Sequence, residues 1–102
     1  MNNTRLEKLK EMQRQKPDDV FLKYAIALEY VSMNEDAEAQ KIFELLLEKF
    51  SDYIATYYHL GKLYERSGEE EKAKAVYTKG IELAERNNDA KNLRELNEAL
   101  NF

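Results

Sequence analysis

The chain has 102 residues, of which 43% are hydrophobic and 35% charged, with one proline and three glycines; this composition suits one small helical domain. The absence of cysteine excludes disulfides and cysteine-ligated metals. A net charge of −4 argues against general binding to nucleic acid or anionic lipid. The N-terminus is polar, and no apolar run approaches the roughly 20 residues of a membrane span. We therefore predict a cytoplasmic location without membrane association.

Short breaks divide the chain into predicted helices. Pro17 ends the first helix, and Asp18 or Asp19 is the predicted N-cap of the second. The second helix ends at a tight turn in which Asn34 can adopt a left-handed backbone.

Further breaks define the second half of the chain. Ser51 or Asp52 is the predicted N-cap of the fourth helix, Gly68 lies just past its end, and a softer break follows at residues 87–89. Loops this short make successive helices antiparallel neighbours. The predicted helices are Asn3–Gln15, Asp18–Met33, Glu35–Lys49, Asp52–Ser67, Glu69–Arg86 and Asp89–Asn101.

A repeat with a period of 34 residues runs through the middle of the chain. Side-chain size is kept at each matched position, and a period of this length indicates stacked helix pairs. The matched positions are Ile26 with Leu60, Ala27 with Gly61, Tyr30 with Tyr64, Asn34 with Gly68, Ala39 with Ala73 and Phe43 with Tyr77.

Gly61 lies inside a predicted helix, where glycine costs about 0.5–1 kcal/mol relative to alanine. We expect the first helix of each pair to cross the backbone of the second so closely that a large side chain at Ala27 or Gly61 would separate them. Ala39 and Ala73 are the small partners on the opposite helix. We expect Tyr30 and Tyr64, which lie one helical turn further on, to pack over the crossing of the two helices.

These positions resemble the tetratricopeptide repeat family, strongly over Ile54–Asn87 and well over Val20–Tyr53. The sequence departs from the family at Lys23, where an aromatic residue is usual, and at Leu46, where a small one is usual. The resemblance implies an all-α, right-handed α-α superhelix of two full helix pairs, with an N-terminal helix at residues 3–15 and a C-terminal capping helix at 89–101. It also implies a single domain over residues 1–102, as in small bacterial members of the family. The family pattern is carried by Tyr57, Leu60, Gly61, Tyr64, Gly68, Ala73, Tyr77 and Gly80.

In that family the first helix of each pair lines a concave groove that binds extended peptides or partner helices. Carried over by position, the groove-facing residues are Phe21, Tyr24, Leu28 and Val31 on the second helix, Ala55, Tyr58, Lys62, Glu65 and Arg66 on the fourth, and Lys91, Arg94 and Glu98 on the last. The family's receptors for chaperone tails hold a terminal carboxylate with Lys, Asn and Arg. Tyr24 and Leu28 occupy two of those places, so we infer that this chain is not such a receptor.

The four apolar residues on the second helix are spaced three, four and three apart, so they form one stripe: Phe21, Tyr24, Leu28 and Val31. The functional interpretation is an apolar shelf for a ligand. The alternative is that the stripe is core, covered by the N-terminal helix or by the chain end.

The groove positions carried over from the family lead us to expect positive charge beside this stripe, at Lys62, Arg66, Lys91 and Arg94. It favours recognition of a carboxylate or an acidic peptide. The alternative, and the commoner situation for surface charges, is solvated charge paired with local glutamates. His59 is the only histidine in the chain, and we interpret it as a packed or surface residue rather than a metal ligand.

Together these features predict a non-catalytic protein-interaction module that binds a peptide or helix of an unidentified partner protein, without cofactor or metal. No nucleophile–base pair is evident, so we do not expect an enzyme. The alternative is a homodimeric self-association module, in which Phe102, Leu100 and Leu96 form an apolar edge or Phe21 and Tyr24 are buried between two copies.

Overall fold

The computed structural model describes residues 3–101, and within that range it contains six α-helices and no β-strand. The all-α class is therefore confirmed, and the predicted helix ends differ from the observed ones by at most three residues. Among residues 3–101, no helix combines the length and the hydropathy that a membrane span requires. The helices are α1 (Thr4–Gln15), α2 (Val20–Ser32), α3 (Asp36–Lys49), α4 (Ala55–Arg66), α5 (Glu70–Arg86) and α6 (Ala90–Leu100).

The chain divides into two compact units, unit 1 (Met1–Phe50) and unit 2 (Ser51–Phe102). In unit 1, α2 packs against both α1 and α3; in unit 2, α4, α5 and α6 all contact one another. The single domain predicted over residues 1–102 stays a prediction.

Three helices end in the same left-handed turn. Asn34, Gly68 and Asn88 have φ values of 61°, 80° and 55°, and they follow the C-caps of α2, α4 and α5. The next residue then donates its backbone N–H to a carbonyl of the last helical turn, as Glu35 does to Tyr30 at 2.9 Å. This is the Schellman arrangement, which satisfies carbonyls that the helix end leaves free. The turns predicted at Asn34 and Gly68 are confirmed.

Helix beginnings agree with the prediction in one place and differ in another. Asp19 caps α2 by accepting a hydrogen bond from the backbone N–H of Leu22 at 3.1 Å. The N-cap predicted at Ser51 or Asp52 is wrong, because α4 begins only at Ala55 and its first turn has no side-chain cap. The carbonyl of Ser51 instead accepts a hydrogen bond from the Tyr57 hydroxyl, which holds the preceding turn against the helix.

The core of unit 1 lies where α2 meets α3. Its fully or almost fully buried members are Leu22, Ile26, Ala27, Ala39, Phe43 and Leu46. Helix α1 buries no residue completely. It is joined to α2 by an ion pair between Arg5 and Glu29 at 3.0 Å and by a hydrogen bond from the Asn3 amide to the same carboxylate at 3.1 Å.

Unit 2 depends on two glycines that face large side chains. A Cβ at Gly61 would lie 2.5 Å from Cζ and 2.7 Å from Cδ1 of Tyr77, and closer still to Cε1. A Cβ at Gly80 would lie 2.8 Å from Cβ of Tyr57 and 2.9 Å from Cδ1 of Leu96. The expectation that Gly61 admits a closely apposed backbone is therefore corrected: the nearest atoms belong to the Tyr77 ring, which takes the space a methyl group would need.

Candidate functional site

The first part of the predicted site lies on α2. We call Phe21, Tyr24, Leu28 and Val31 the α2 stripe. The Phe21 side chain is 62% exposed, whereas the other three residues are half-buried. The Phe21 ring centre is 6.5 Å from that of Tyr24, which in turn is 6.2 Å from the buried Phe43 ring. The stripe thus runs from the core to the surface, and the interpretation that it is core throughout does not hold for Phe21.

The second copy of the repeat shows what packing requires at the position of Phe21. A shift of 34 residues places Phe21 on Ala55, the first residue of α4. Alanine is therefore sufficient for this helix position in unit 2. The phenyl ring at position 21 adds an exposed aromatic surface that the repeat itself does not need.

The second part of the predicted site lies within unit 2, between α4 and α6. A cleft of about 580 Å³ opens there, and we call it the α4–α6 cleft. The rings of Tyr58 and His59 meet edge to face with centres 5.4 Å apart, and the Lys62 ammonium lies 5.5 Å from the Tyr58 ring centre. The residues that line the cleft are Tyr58, His59, Lys62, Glu95, Glu98 and Ala99.

Charge in this cleft is mixed rather than purely positive. Lys62 lines the cleft and also pairs with Glu65 at 3.5 Å, so its charge is partly compensated locally. Arg66, Lys91 and Arg94 are exposed and lie outside the cleft lining. Of the predicted basic groups, the structure therefore brings only Lys62 together with the aromatic and acidic residues of the cleft.

His59 and Glu95 are cleft residues that the sequence interpretation did not assign to the site. Burial lowers the pKa of His59 below its usual value of 6.5, and the nearby Glu95 carboxylate offsets part of that effect. The imidazole is therefore neutral at pH 7. Glu95 lies three residues before the predicted groove residue Glu98, so helical spacing placed it on the same face of α6.

The two surfaces offer aromatic ring faces, a neutral imidazole, one ammonium group and two carboxylates. Such groups can pack on apolar side chains and hydrogen-bond a peptide backbone. Within residues 3–101 no cluster of three or more His, Asp or Glu residues is placed to hold a metal ion.

Comparison with known sequences supports the repeat. A family model described as tetratricopeptide repeat matches residues 54–87, the stretch predicted as the second repeat. A curated human protein, IFIT1 homolog B, is 30% identical over 77 residues, a region that covers 76% of this chain. The chain spans only 16% of the length of that human protein.

Solved structures extend the similarity over most of the chain. A crystal structure of a tetratricopeptide repeat domain protein from Salinibacter ruber is 42% identical, with a TM-score of 0.79, and the match covers 81% of this chain and 92% of that one. A solution structure of a tetratricopeptide repeat domain protein from the same organism is 43% identical, with a TM-score of 0.78 and coverage of 82% and 85%. A protein from Bordetella parapertussis is only 22% identical but has a TM-score of 0.83 over 99% of this chain and 87% of that one, which shows a shared fold.

Proposed function

The chain belongs to the tetratricopeptide repeat family, and on that premise we propose that it is a non-catalytic protein-interaction module. Repeats of this family generally mediate protein–protein interactions. The specific proposal is that each unit has its own binding surface: the α2 stripe in unit 1 and the α4–α6 cleft in unit 2. The ligand is a peptide or a helical segment of another protein.

The observation that carries the proposal is the exposure of Phe21. Its side chain is 62% exposed although the equivalent position of the repeat holds alanine. Aromatic side chains contribute a large contact area at a small entropic cost, and they are enriched among the residues that dominate binding energy. Tyr24 lies beside Phe21 and is anchored on Phe43, so the pair offers a ring surface that is already oriented.

The α4–α6 cleft supports the same proposal from unit 2. Its volume of about 580 Å³ falls within the range of roughly 300–1,000 Å³ that is usual for ligand pockets. Lys62 over the Tyr58 ring, together with Glu95 and Glu98, provides donors and acceptors at an aromatic wall. A peptide with mixed polar and apolar side chains fits this lining better than a purely anionic one.

Affinity capture from an extract of the source cells tests the proposal. Wild-type protein, Phe21→Ala and Met12→Ala are immobilised in equal amounts, and the captured proteins are quantified by mass spectrometry. Met12 is the matched control, because it is 51% exposed and apolar but lies on α1, outside the α2 stripe. We expect Met12→Ala to retain the whole captured set and Phe21→Ala to lose the proteins that bind through the α2 stripe. Equal capture by Phe21→Ala and wild type would overturn the proposal, provided that both variants keep the wild-type circular dichroism spectrum.

Self-association through Phe21 is the second candidate, because a second copy could cover the same exposed ring. The apolar edge predicted at the C-terminus is corrected at Leu96, which is 1% exposed and packs in unit 2. Leu100 is half-buried, and Phe102 lies outside the described residues. Sedimentation equilibrium at micromolar concentration separates the candidates. A dimer that Phe21→Ala converts to monomer favours self-association, and a strict monomer excludes it.

A further inference from the structure

A second surface of unit 1 lies across α2 from the α2 stripe. Helices α1 and α3 both pack against α2, and a cleft of about 400 Å³ opens between them; we call it the α1–α3 cleft. Lys23, Ile26 and Tyr30 of α2 line this cleft. At 3.6 residues per turn they lie about half a turn around the helix from Phe21 and Leu28. The two surfaces are therefore distinct.

The α1–α3 cleft contains an apolar side chain that repeat packing does not require. Leu45 of α3 lines the cleft and is 46% exposed. A shift of 34 residues places Leu45 on the exposed Lys79 and Lys49 on the buried Leu83, so leucine and lysine have exchanged places between the two copies. The exchange creates an exposed leucine on α3 beside half-buried Ile42 and Phe50, which also line the cleft.

The charged side chains around these apolar residues of the α1–α3 cleft are mainly positive. The Lys10 ammonium lies 5.6 Å from the Tyr30 ring centre, and the Lys23 ammonium donates a hydrogen bond to the Pro17 carbonyl at 2.7 Å. Neither contact neutralises a charge, and Lys49 adds a third ammonium group to the lining.

Two carboxylates also line the cleft. Glu38 is already paired with Lys41 at 3.4 Å, outside the lining. Asp18 is then the lining carboxylate that remains to balance the charge of the three lysines. This local excess of positive charge occurs in a chain whose net charge is −4. A ligand that complements the cleft therefore combines apolar side chains with carboxylates.

We propose that the α1–α3 cleft binds an acidic amphipathic segment of a partner protein. Apolar side chains of that segment pack on Ile42, Leu45 and Phe50, and its carboxylates pair with Lys10, Lys23 and Lys49. This docking surface and the α2 stripe lie on opposite sides of α2, so unit 1 has two faces for partners and can connect them.

The test is a selection of peptides from a display library of random 12-residue sequences on the immobilised full chain. The affinities of the selected peptides are then measured by fluorescence anisotropy for wild type, Leu45→Gln, Lys49→Glu and Phe21→Ala. Leu45→Gln removes the apolar side chain without adding charge. Leu45 and Lys49 are both exposed, so both variants are expected to fold. Phe21→Ala is the control, because it changes the α2 stripe and leaves the α1–α3 cleft intact.

We expect a class of selected peptides in which Asp or Glu accompanies Leu, Ile or Phe. Their affinity should fall at least tenfold with Leu45→Gln and severalfold with Lys49→Glu, and it should stay unchanged with Phe21→Ala. Replacing their Asp and Glu residues by Asn and Gln should weaken binding and remove its dependence on salt. The proposal is overturned if no selected peptide responds to Leu45→Gln and Lys49→Glu, if the responsive peptides are basic, or if a homodimer sensitive to Leu45→Gln shows that a second copy covers the cleft.

Discussion

The ring of Tyr77 occupies the space above Gly61 that a side chain at position 61 would fill. Its hydroxyl donates a hydrogen bond to Oε2 of Glu65 at 2.7 Å. Gly61 and Glu65 lie four residues apart on α4, so they share a helix face and the tyrosine from α5 spans both. This contact joins α4 to α5 within unit 2.

Gly61→Ala should destabilise the protein although alanine is the better helix former. The added methyl group would overlap the Tyr77 ring, and overpacking of this kind costs about 1–3 kcal/mol, more than the ~1 kcal/mol gained in helix propensity. Urea unfolding followed by circular dichroism measures the change. Gly68→Ala is the control, since nothing lies within 4 Å of its added methyl group and only the strain of its φ of 80° is tested. A stabilised Gly61→Ala variant would contradict the packing described here.

Tyr77→Phe should partly rescue Gly61→Ala. In unit 1 the equivalent positions hold Ala27 and Phe43, both fully buried, so the repeat already accepts alanine with phenylalanine. Without the hydroxyl bonded to Glu65, the ring can move away from position 61. A double-mutant cycle on the free energy of unfolding should show that the two substitutions together cost less than their sum, by about 0.5 kcal/mol or more. Strict additivity would argue that the hydroxyl does not fix the ring.

The contribution of Tyr77 to stability should disappear at alkaline pH. Burial and the neighbouring Glu65 carboxylate raise the pKa of Tyr77 above its usual value of 10.0. The unfolded chain therefore loses this proton first, and the stabilisation is complete below pH 10 and decreases as the pH rises beyond it. Urea unfolding at pH 8 and pH 11 should show a smaller difference between wild type and Tyr77→Phe at pH 11. A constant difference would mean that the phenol titrates alike in both states.

Stability should also fall on mild acidification because of His59. Burial lowers the pKa of His59, so below its usual value of 6.5 the unfolded chain binds more protons than the folded one. The stabilisation is present above pH 6.5 and is lost as the pH falls through the folded pKa. Hydrogen bonds also lower the carboxyl pKa values of Glu69 and Asp89. These two groups affect the stability only at pH values below their usual pKa values of 4.5 and 3.8. Unfolding measured at pH 7 and pH 5 should therefore show a weaker pH dependence in His59→Gln, and an unchanged dependence would count against a desolvated imidazole.

The repeat made most of the fold predictable. Asn34 and Gly68 are set by the local backbone conformation, and Tyr77 is set by the match in side-chain size between the two copies of the repeat. Both properties can be recognised in a sequence that contains two copies of one pattern. The N-cap predicted at Ser51 or Asp52 is wrong because backbone carbonyls accept from the first N–H groups of α4 instead: Thr56 donates to the Tyr53 carbonyl at 3.3 Å and Tyr57 to that of Ile54 at 3.2 Å.

The candidate site was predictable only in part. Helical spacing identified the α2 stripe, but the exposure of Phe21 depends on what the neighbouring helices cover. The α1–α3 cleft was missed because its residues come from three helices, and only packing brings Lys10, Tyr30 and Leu45 to one surface. The sequence did contain one signal for this cleft: Leu45 and Lys79 occupy the same position of the repeat, and only one of them is apolar.

Photo-crosslinking at position 21 tests most directly the claim that the α2 stripe contacts another protein. The chain is expressed in its source cells with benzoylphenylalanine in place of Phe21 and, as control, in place of the exposed Met12. The account predicts that irradiation joins position 21, and not position 12, to a different protein at a mass above that of the chain alone. The absence of any adduct at position 21, or adducts with a second copy only, would contradict it.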